Sequence, residues 1–264
     1  MTVAARLARR ALVTLGLPLV LVAVWWVASA NSESFYLPPL RRILETFADV
    51  WLSARLADDV LPSLLRLAVG YLAAVALGVA VGVPVGASRA LRDVVEPVLE
   101  FFRAIPPTVM VPILILVAGI GDTMKVLVIV FGCIWPVLLN TVEGVRAIDP
   151  VLDETARCYG IRGAARLRHL VLRGASPQIV TGMRQSLSIG IILMVISEMF
   201  ASSNGLGFTI IQFQRGFAIP EMWSGIILLG LVGVLLSLVF RAMEGRVLAW
   251  YHSLRRSHRD GGAA

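Results

Sequence analysis

A polar segment separates two long apolar runs of this chain at residues 149–160, where the sequence reads DPVLDETARCYG. Asp149 and Pro150 form a good helix start, because an Asp side chain can cap the first turn and Pro already has the φ that this turn requires. Gly160 can adopt the left-handed conformation that ends a helix. The segment therefore predicts a short capped helix that begins at Pro150 and stops at Gly160.

This predicted helix has one apolar face, formed by Leu152, Ala156 and Tyr159 at positions i, i+4 and i+7. A basic stretch follows at residues 162–172, and its alternation of Arg and Leu predicts a second helix, lying on a membrane surface. The first helix suits a groove on a soluble partner protein. An amphipathic connector that lies in the lipid headgroups is the alternative interpretation.

The composition places the chain among membrane proteins. Hydrophobic residues make up 58% of the 264 residues, the mean hydropathy is +0.83, and 16% of the residues are charged, against about 25% in soluble domains. The basic residues behind the net charge of +7 lie mostly between the apolar runs, which indicates a sided topology and contact with anionic headgroups. Interleaved aromatic and basic residues of a nucleic-acid surface are absent from the sequence, so we expect a lipid bilayer and no nucleic acid as partner. The two cysteines, Cys133 and Cys158, are too few for a disulfide framework, and we expect both to be free thiols.

Six apolar runs are long enough to cross a bilayer, which takes roughly 20 helical residues. Each run is predicted to be a helix, because exposed backbone polar groups are not tolerated in lipid. The predicted fold class is therefore an all-α polytopic membrane protein with six transmembrane helices. The runs cover residues 11–28, 61–87, 98–120, 124–142, 178–200 and 223–243.

The distribution of basic residues predicts that both termini lie in the cytoplasm. With that orientation the cytoplasmic segments carry 16 basic residues and the extracytoplasmic segments carry 5, in agreement with the positive-inside rule. Residues 1–30 then form a cytoplasmic tail and the first span, 31–59 an extracytoplasmic connection, 60–243 the main membrane domain and 244–264 a cytoplasmic tail. A cleavable signal peptide at the N-terminus is the alternative interpretation of residues 1–30.

Two of the runs carry residues that indicate close packing or deformation. In the second run Gly78, Gly82 and Gly86 recur every four residues, which leaves one helix face bare for a neighbouring backbone. In the third run Pro106 and Pro107 remove backbone hydrogen bonds in mid-membrane, which is tolerated beside protein or a water-filled cavity. These prolines fit ordinary helix packing and a deformable wall beside a substrate path equally well.

The polar segment resembles the EAA motif of ABC importer permeases, which reads Glu-Ala-Ala, three residues, Gly, nine residues and Ile-x-Leu-Pro. That family has the motif in a cytoplasmic loop between its fourth and fifth spans, where residues 144–177 lie here. Thr155 replaces one Ala, and Arg173 stands where the family has Pro, so the resemblance is strongest for the first helix. The corresponding residues are Glu154, Thr155, Ala156, Gly160 and Leu170-Val171-Leu172.

Further short motifs follow the order found in the nitrate/sulfonate/taurine group of that family. No single motif is specific, but their common order identifies the chain as a member of that family. They include Leu37-Pro38-Pro39, Ser63-Leu64-Leu65-Arg66, Arg103-Ala104-Ile105-Pro106-Pro107, Gly119-Ile120-Gly121-Asp122 and Gly205-Leu206-Gly207.

The resemblance implies a permease subunit of an ATP-driven importer for a sulfonate, nitrate, taurine or another small organic solute, in a bacterial cell membrane. Such permeases pair as two copies, which favours a homodimer here, bind cytoplasmic ABC ATPase subunits and accept substrate from an extracytoplasmic binding protein. The EAA helix is the coupling helix that sits in a groove on the ATPase. That role falls here to Glu154, Thr155, Ala156, Arg157, Tyr159, Gly160 and Leu172.

Energy is expected to come from the partner subunit. The sequence has no Gly-x-x-x-x-Gly-Lys-Ser/Thr phosphate loop, so we expect a permease that is not an enzyme, binds no cofactor or metal, and relies on ATP used by the ATPase.

Three charged residues lie within the predicted spans, where a charge is costly and usually faces the protein interior. Arg103 and Arg184 lie about one to two turns from the cytoplasmic ends, where snorkelling to the headgroups is the alternative. Glu198 lies near the outer end of the fifth span. Together with Pro106 and Pro107 they are the candidate pathway residues, and the hypothesis is that some of the charges face the pathway or pair with one another.

An enzyme and a stand-alone secondary transporter are the two other classes of protein that could explain such a membrane chain. An enzyme would need a polar catalytic cluster, and neither His-Glu-x-x-His nor Gly-x-Ser-x-Gly occurs in the sequence. A stand-alone secondary transporter would be expected to show repeated halves and carboxylates at the membrane midplane. The sequence shows neither clearly, and this transporter is the alternative function.

Overall fold

The computed structural model describes residues 3–52, 55–200 and 202–251, with side chains from residue 16 onward. All regular structure in these ranges is helical, as the sequence predicts. The helices are α1 (Val3–Ser29), α2 (Leu40–Trp51), α3 (Leu61–Ala87), α4 (Arg89–Ala104), α5 (Met110–Ala118), α6 (Asp122–Arg146), α7 (Pro150–Cys158), α8 (Gly163–Arg166), α9 (Leu172–Phe200), α10 (Leu206–Arg215) and α11 (Ile219–Val247).

Four helical segments of the described chain are long and apolar enough to cross a membrane, and a bent pair of helices is a fifth candidate. α1 contributes a shorter apolar stretch, Gly16–Ser29, at the first predicted run. The count of six spans therefore stays a prediction, as do the domain boundaries. The four segments are Leu56–Ala87, Asp122–Arg146, Gly163–Phe200 and Ile219–Val247, and the bent pair is Arg89–Ala104 with Pro107–Ala118.

α6 is the central helix of the bundle, since α3 and α9 both pack along it. A Cβ added at Gly82 of α3 would lie 2.7 Å from Thr141 Cβ and 2.9 Å from the Leu138 carbonyl oxygen. On α9, a Cβ at Gly182 would lie 2.6 Å from the Pro136 carbonyl oxygen. Such distances leave no room for a side chain, so the helices touch backbone to backbone. The bare face predicted on α3 is confirmed, because similar contacts to α6 occur at all three of its glycines, Gly78, Gly82 and Gly86.

The third predicted run, residues 98–120, is not one continuous helix. α4 ends at Ala104, and a single 3₁₀ turn, Pro107–Val109, leads into α5 at an angle of 73° to α4. Ile105 and Pro106 between them are extended, with ψ of 119° and 126°. Two consecutive prolines explain the break, because a residue before Pro is driven out of the helical region and Pro has no N–H to donate.

The fifth predicted run, residues 178–200, begins earlier than expected. The chain is helical from Gly163 to Phe200, through α8, a π-helical turn at Leu167–Val171 and α9. The separate basic helix predicted at residues 162–172 is therefore wrong, and these residues form the first turns of the long helix. The two cysteines are free as predicted, Cys133 buried and Cys158 exposed.

Two further helices close one end of the bundle. α2 lies on α11, where Trp51 Nε1 donates a hydrogen bond to Ser224 Oγ over 2.9 Å. α10 packs on both α9 and α11 and buries Leu206, Thr209 and Ile210. This end of the bundle is consequently covered by packed helices in the described structure.

Substitution Gly82→Ala tests the backbone contact between α3 and α6. The added methyl group meets a carbonyl oxygen that cannot move aside, so we expect a lower thermal unfolding midpoint in detergent, with a loss of about 1–3 kcal/mol for an overpacked site. The matched control is Gly230→Ala in α11, where a Cβ would meet nothing within 4 Å. An equal effect in the two variants would contradict the contact.

Candidate functional site

The loop between α6 and α9 begins with a well-capped helix. Asp149 Oδ1 accepts a hydrogen bond from the Val151 backbone N–H over 2.8 Å, as an N-cap does. At the other end Gly160 has a φ of 71°, and the backbone N–H of Ile161 donates to the Ala156 carbonyl over 2.9 Å. This bond, together with one from the Gly160 N–H to the Arg157 carbonyl, is the Schellman pattern. The helix predicted from the sequence is therefore present as α7, with the start and stop signals in the expected roles.

Asp153 ties α7 to the long helix that follows it. Its carboxylate accepts from Arg166 Nε over 2.7 Å and from Arg157 Nη2 over 2.9 Å. The hydrogen bond from Arg166 is the main cause that holds the pKa of the Asp153 carboxyl below its usual value, so the link is charged at neutral pH. Arg166 belongs to α8, which is continuous with α9. The salt bridge therefore joins α7 to the start of the long helix that contains α9.

α7 leaves its apolar face open. Ala156 is the only one of its residues that is buried, whereas Leu152 is 53% exposed and Tyr159 is 81% exposed. Thr155 stands where the family motif has Ala. Its hydroxyl donates a hydrogen bond to the Val151 carbonyl over 2.7 Å, so the extra polar group of the threonine has a partner. The remaining residues predicted for this site are Glu154, Arg157 and Gly160, which are exposed, and Leu172, which is half-buried at the start of α9.

Arg173 takes the place of the family proline without a break in the chain. Because Arg has a backbone N–H, the helix runs on through this position into α9. Its guanidinium lies 5.4 Å from the centroid of the Trp250 ring, within the range of a cation–π contact. The departure from the motif therefore gives an uninterrupted helix.

A cleft of about 610 Å³ lies at the break between α4 and α5, against α6 and α9. Three of the five candidate pathway residues line it, Arg103, Pro106 and Pro107. The indole Nε1 of Trp135, on α6, is buried at this cleft and has no hydrogen-bond partner. The other lining residues are Thr108, Gly132, Pro136, Leu139, Asn140, Gln185, Ile189, Ile192 and Leu193.

Arg103 lies in the last turn of α4, directly before the break. Pro107, just beyond the break, is 3.2 Å from where a Cβ of Gly132 would be, and Gly132 is close to the middle of the 25-residue α6. The break therefore lies beside the middle of α6, and the depth of Arg103 in the membrane stays a prediction. The guanidinium pairs with Glu100 one turn earlier on the same helix.

The other two candidate charges lie away from the cleft. Arg184 pairs with Glu244 of α11, and Glu198 is completely buried inside the subunit. The three charges do not pair with one another, so that part of the hypothesis is wrong. Each instead has a partner that the sequence analysis did not name.

Glu198 lies at the centre of a buried polar cluster at the end of the bundle that α10 covers. Its Oε1 accepts from Ser63 Oγ over 2.7 Å and from Arg66 Nη1 over 2.8 Å, and its Oε2 accepts from the Gly207 N–H over 3.0 Å. Arg66 also donates to Asp122 Oδ1 over 2.8 Å and to Asn204 Oδ1 over 2.6 Å. The cluster joins α3, α6, α9 and the loop before α10.

The sequence contained a signal for this cluster. Arg66, Asp122 and Glu198 all lie near the same predicted end of their apolar runs, and each belongs to or follows a short family motif. An arginine and two carboxylates at equal depth are expected to pair, since a lone charge there is costly. The pairing with α10 through Gly207 was not foreseeable, because nothing in the sequence shows how that helix folds back.

The fold resembles solved chains of ABC transporters. A chain from an inward-facing form of the MetNI methionine ABC transporter matches with a TM-score of 0.63 and 22% identity, covering 75% of this chain and 97% of that chain. A chain of an amino acid ABC transporter solved with histidines matches with a TM-score of 0.53 and 16% identity, covering 78% of this chain and 94% of that chain. At these identities the likeness establishes the helical fold alone.

The chain belongs to the family described as the binding-protein-dependent transport system inner membrane component, whose model matches residues 74–249. Among its relatives, the taurine transport system permease protein TauC of Escherichia coli is 30% identical, covering 93% of this chain and 92% of TauC. The putative aliphatic sulfonates transport permease protein SsuC of Bacillus subtilis is 31% identical, over 90% and 87% of the two chains. The nitrate import permease protein NrtB of Synechocystis is 26% identical, over 87% and 86%. The chain is therefore an ABC importer permease.

Substitution Glu198→Gln tests the buried cluster. Loss of the charge leaves Arg66 short of one buried counter-charge, and breaking such a pair costs about 3 kcal/mol or more, so we expect a clear drop in the unfolding midpoint in detergent. The matched control, Glu45→Gln, removes an exposed carboxylate paired with Arg41 and is expected to cost under about 1 kcal/mol.

A double variant Arg66→Gln/Glu198→Gln sharpens this test. If the two residues act as a pair, its loss of stability is smaller than the sum of the single losses by more than about 0.5 kcal/mol. Additive losses would show that the pair is not coupled.

Proposed function

We propose that this permease imports a small solute with an oxyanion group, of the sulfonate, taurine or nitrate type, driven by ATP hydrolysis in a separate ATPase that docks on α7. The observation that carries the docking is the structure of α7 itself. It is capped at both ends, linked to α9 through Asp153 and Arg166, and exposes Leu152 and Tyr159 while Ala156 is buried.

The rigid link supplies a route from the ATPase to the membrane. A short helix seated in a groove moves with that groove, and the salt bridge from Asp153 carries this movement to α8 and α9. α9 packs along α6, and both helices line the cleft at the α4–α5 break. Closure of the ATPase on ATP would in this way change the width of the cleft.

The remaining partners follow from the family and from the charge distribution. An extracytoplasmic binding protein would deliver the solute, and two copies of the permease would enclose the pathway, with a homodimer as the simplest pairing. The excess of basic residues in the loop that holds α7 and in the C-terminal tail favours a cytoplasmic position for both termini, with six spans in a bacterial inner membrane. Family membership favours this function over a stand-alone secondary transporter.

The substrate class rests on the relatives. Those named for taurine, aliphatic sulfonates and nitrate share nearly the whole length of this chain. The solutes in these names are all small compounds with an oxyanion group, which is the chemistry we propose for this permease.

Substitution Leu152→Arg tests the docking surface on α7. We expect co-purification of the permease with its co-expressed ATPase to fall at least about tenfold, the equivalent of 1.4 kcal/mol, because a charge enters an apolar contact. ATP-driven uptake into proteoliposomes should fall with it.

The matched control is Leu52→Arg, which changes an exposed leucine at the end of α2. In the predicted topology this residue lies on the opposite side of the membrane from α7. The substitution should leave ATPase association unchanged. Full association of the Leu152→Arg variant, or an equal loss in the control, would refute docking through α7.

A further inference from the structure

We propose that the cleft at the α4–α5 break is a transit site for a small organic anion, whose oxyanion group binds Trp135 Nε1–H and the Arg103 guanidinium while its carbon chain lies on the neighbouring proline and aliphatic side chains. The inference rests on the proposed function and adds the residues that recognise the solute and the part of the solute that each one contacts.

The Trp135 indole has a donor without an acceptor. Its Nε1 atom is buried and makes no hydrogen bond within the described part of the chain, although an indole N–H can only donate and is normally paired when buried. The ring is held by packing, since it stacks on Phe102 at 6.4 Å with an interplanar angle of 4° and meets Phe131 edge-on at 5.8 Å. Because the N–H is covered here, an acceptor from outside the subunit reaches it only when the α4–α5 break opens.

Arg103 supplies the charge at the same cleft. It lies in the last turn of α4, at the break in the third apolar run, where a charged side chain is costly and marks a candidate substrate path. Its side chain is 51% exposed and its protein partner, Glu100, is 49% exposed, so the guanidinium keeps free donors. A planar guanidinium binds sulfonate-like oxyanions through paired hydrogen bonds.

The rest of the cleft favours an anion that carries carbon. The residues lining it carry no carboxylate of their own, and the nearby Glu100 carboxylate is neutralised by its pair with Arg103. Pro107, Leu193 and Ile192 make one side of the cleft apolar. Asn140 and Gln185 add neutral polar groups. A volume of about 610 Å³ is within the range of small-molecule sites.

The geometry therefore predicts a preference among oxyanions. An alkanesulfonate can place its headgroup on Trp135 and Arg103 and its chain on Pro107, whereas nitrate has no chain to bury. We expect 1-butanesulfonate to bind more tightly than nitrate, because it buries carbon, and more tightly than taurine, whose ammonium group meets no carboxylate in the cleft lining.

The experiment measures binding of these three probes to the purified permease–ATPase complex in detergent, and ATP-driven uptake in proteoliposomes. Trp135→Phe removes the N–H and keeps the stacked ring, so we expect about a tenfold weaker Kd for 1-butanesulfonate. Arg103→Gln should weaken binding at least as much, and Arg103→Lys should restore part of it. ATPase co-purification should be unchanged in all of them.

The matched control is Trp26→Phe, a half-exposed tryptophan of α1, which should bind the probes as the wild type does. If probe binding and uptake are unchanged in Trp135→Phe and Arg103→Gln, the transit site is wrong. The proposed function would still stand in that case, provided that the wild type shows ATP-driven uptake. No saturable binding of any probe to an active wild-type complex would also overturn the transit site.

A second copy of the permease is the competing occupant of the cleft. If Trp135→Phe and Arg103→Gln dissociate the paired permeases in size-exclusion chromatography and leave probe binding per folded subunit unchanged, the cleft is a subunit interface and the proposal is wrong. Failure of the wild type itself to associate with an ATPase would instead refute the proposed function.

Discussion

The close approach of α3 and α9 to α6 is the constraint on which the rest of the structure depends. In a membrane, apolar side chains gain little from leaving lipid, so helices associate through tight packing and polar contacts. Glycines at positions such as Gly82 and Gly182 allow backbone-to-backbone contact with α6. At one end of the bundle the buried pair of Arg66 and Glu198 joins α3 to α9, and Arg66 also pairs with Asp122 at the start of α6. The result is a stiff central unit, and parts attached to it move together.

The two candidate sites are attached to this unit at different heights. α7 is joined to the long helix that contains α9 through the Asp153–Arg166 salt bridge, and the cleft lies where α6 and α9 meet the broken α4–α5 pair. Since two packed elements have a few discrete arrangements rather than a continuum, a push on α7 is expected to shift α9 as a body. The α4–α5 break is the part free to respond, because its prolines have already removed the hydrogen bonds that would resist bending.

Much of this could be predicted from the sequence, for local physical reasons. Asp149, Pro150 and Gly160 gave the limits of α7, since caps and left-handed stops depend only on neighbouring backbone. The glycine repeat in α3 gave its contact face. The sequence did not show that the third apolar run bends by 73°, because hydropathy reports length and not direction. The partners of Glu198 and the unpaired Trp135 N–H depend on tertiary packing, which one sequence without relatives cannot supply.

The central claim is that α7 is the contact through which an ATPase drives the permease. The Cys158 thiol can report on contact at α7, because Cys158 is exposed on this helix while Cys133, in α6, is buried. The most direct measurement is the rate of maleimide labelling of Cys158 in the permease alone and in the complex with its ATPase. The account predicts strong protection of Cys158 in the complex, and a labelling rate that is the same with and without the ATPase would contradict it.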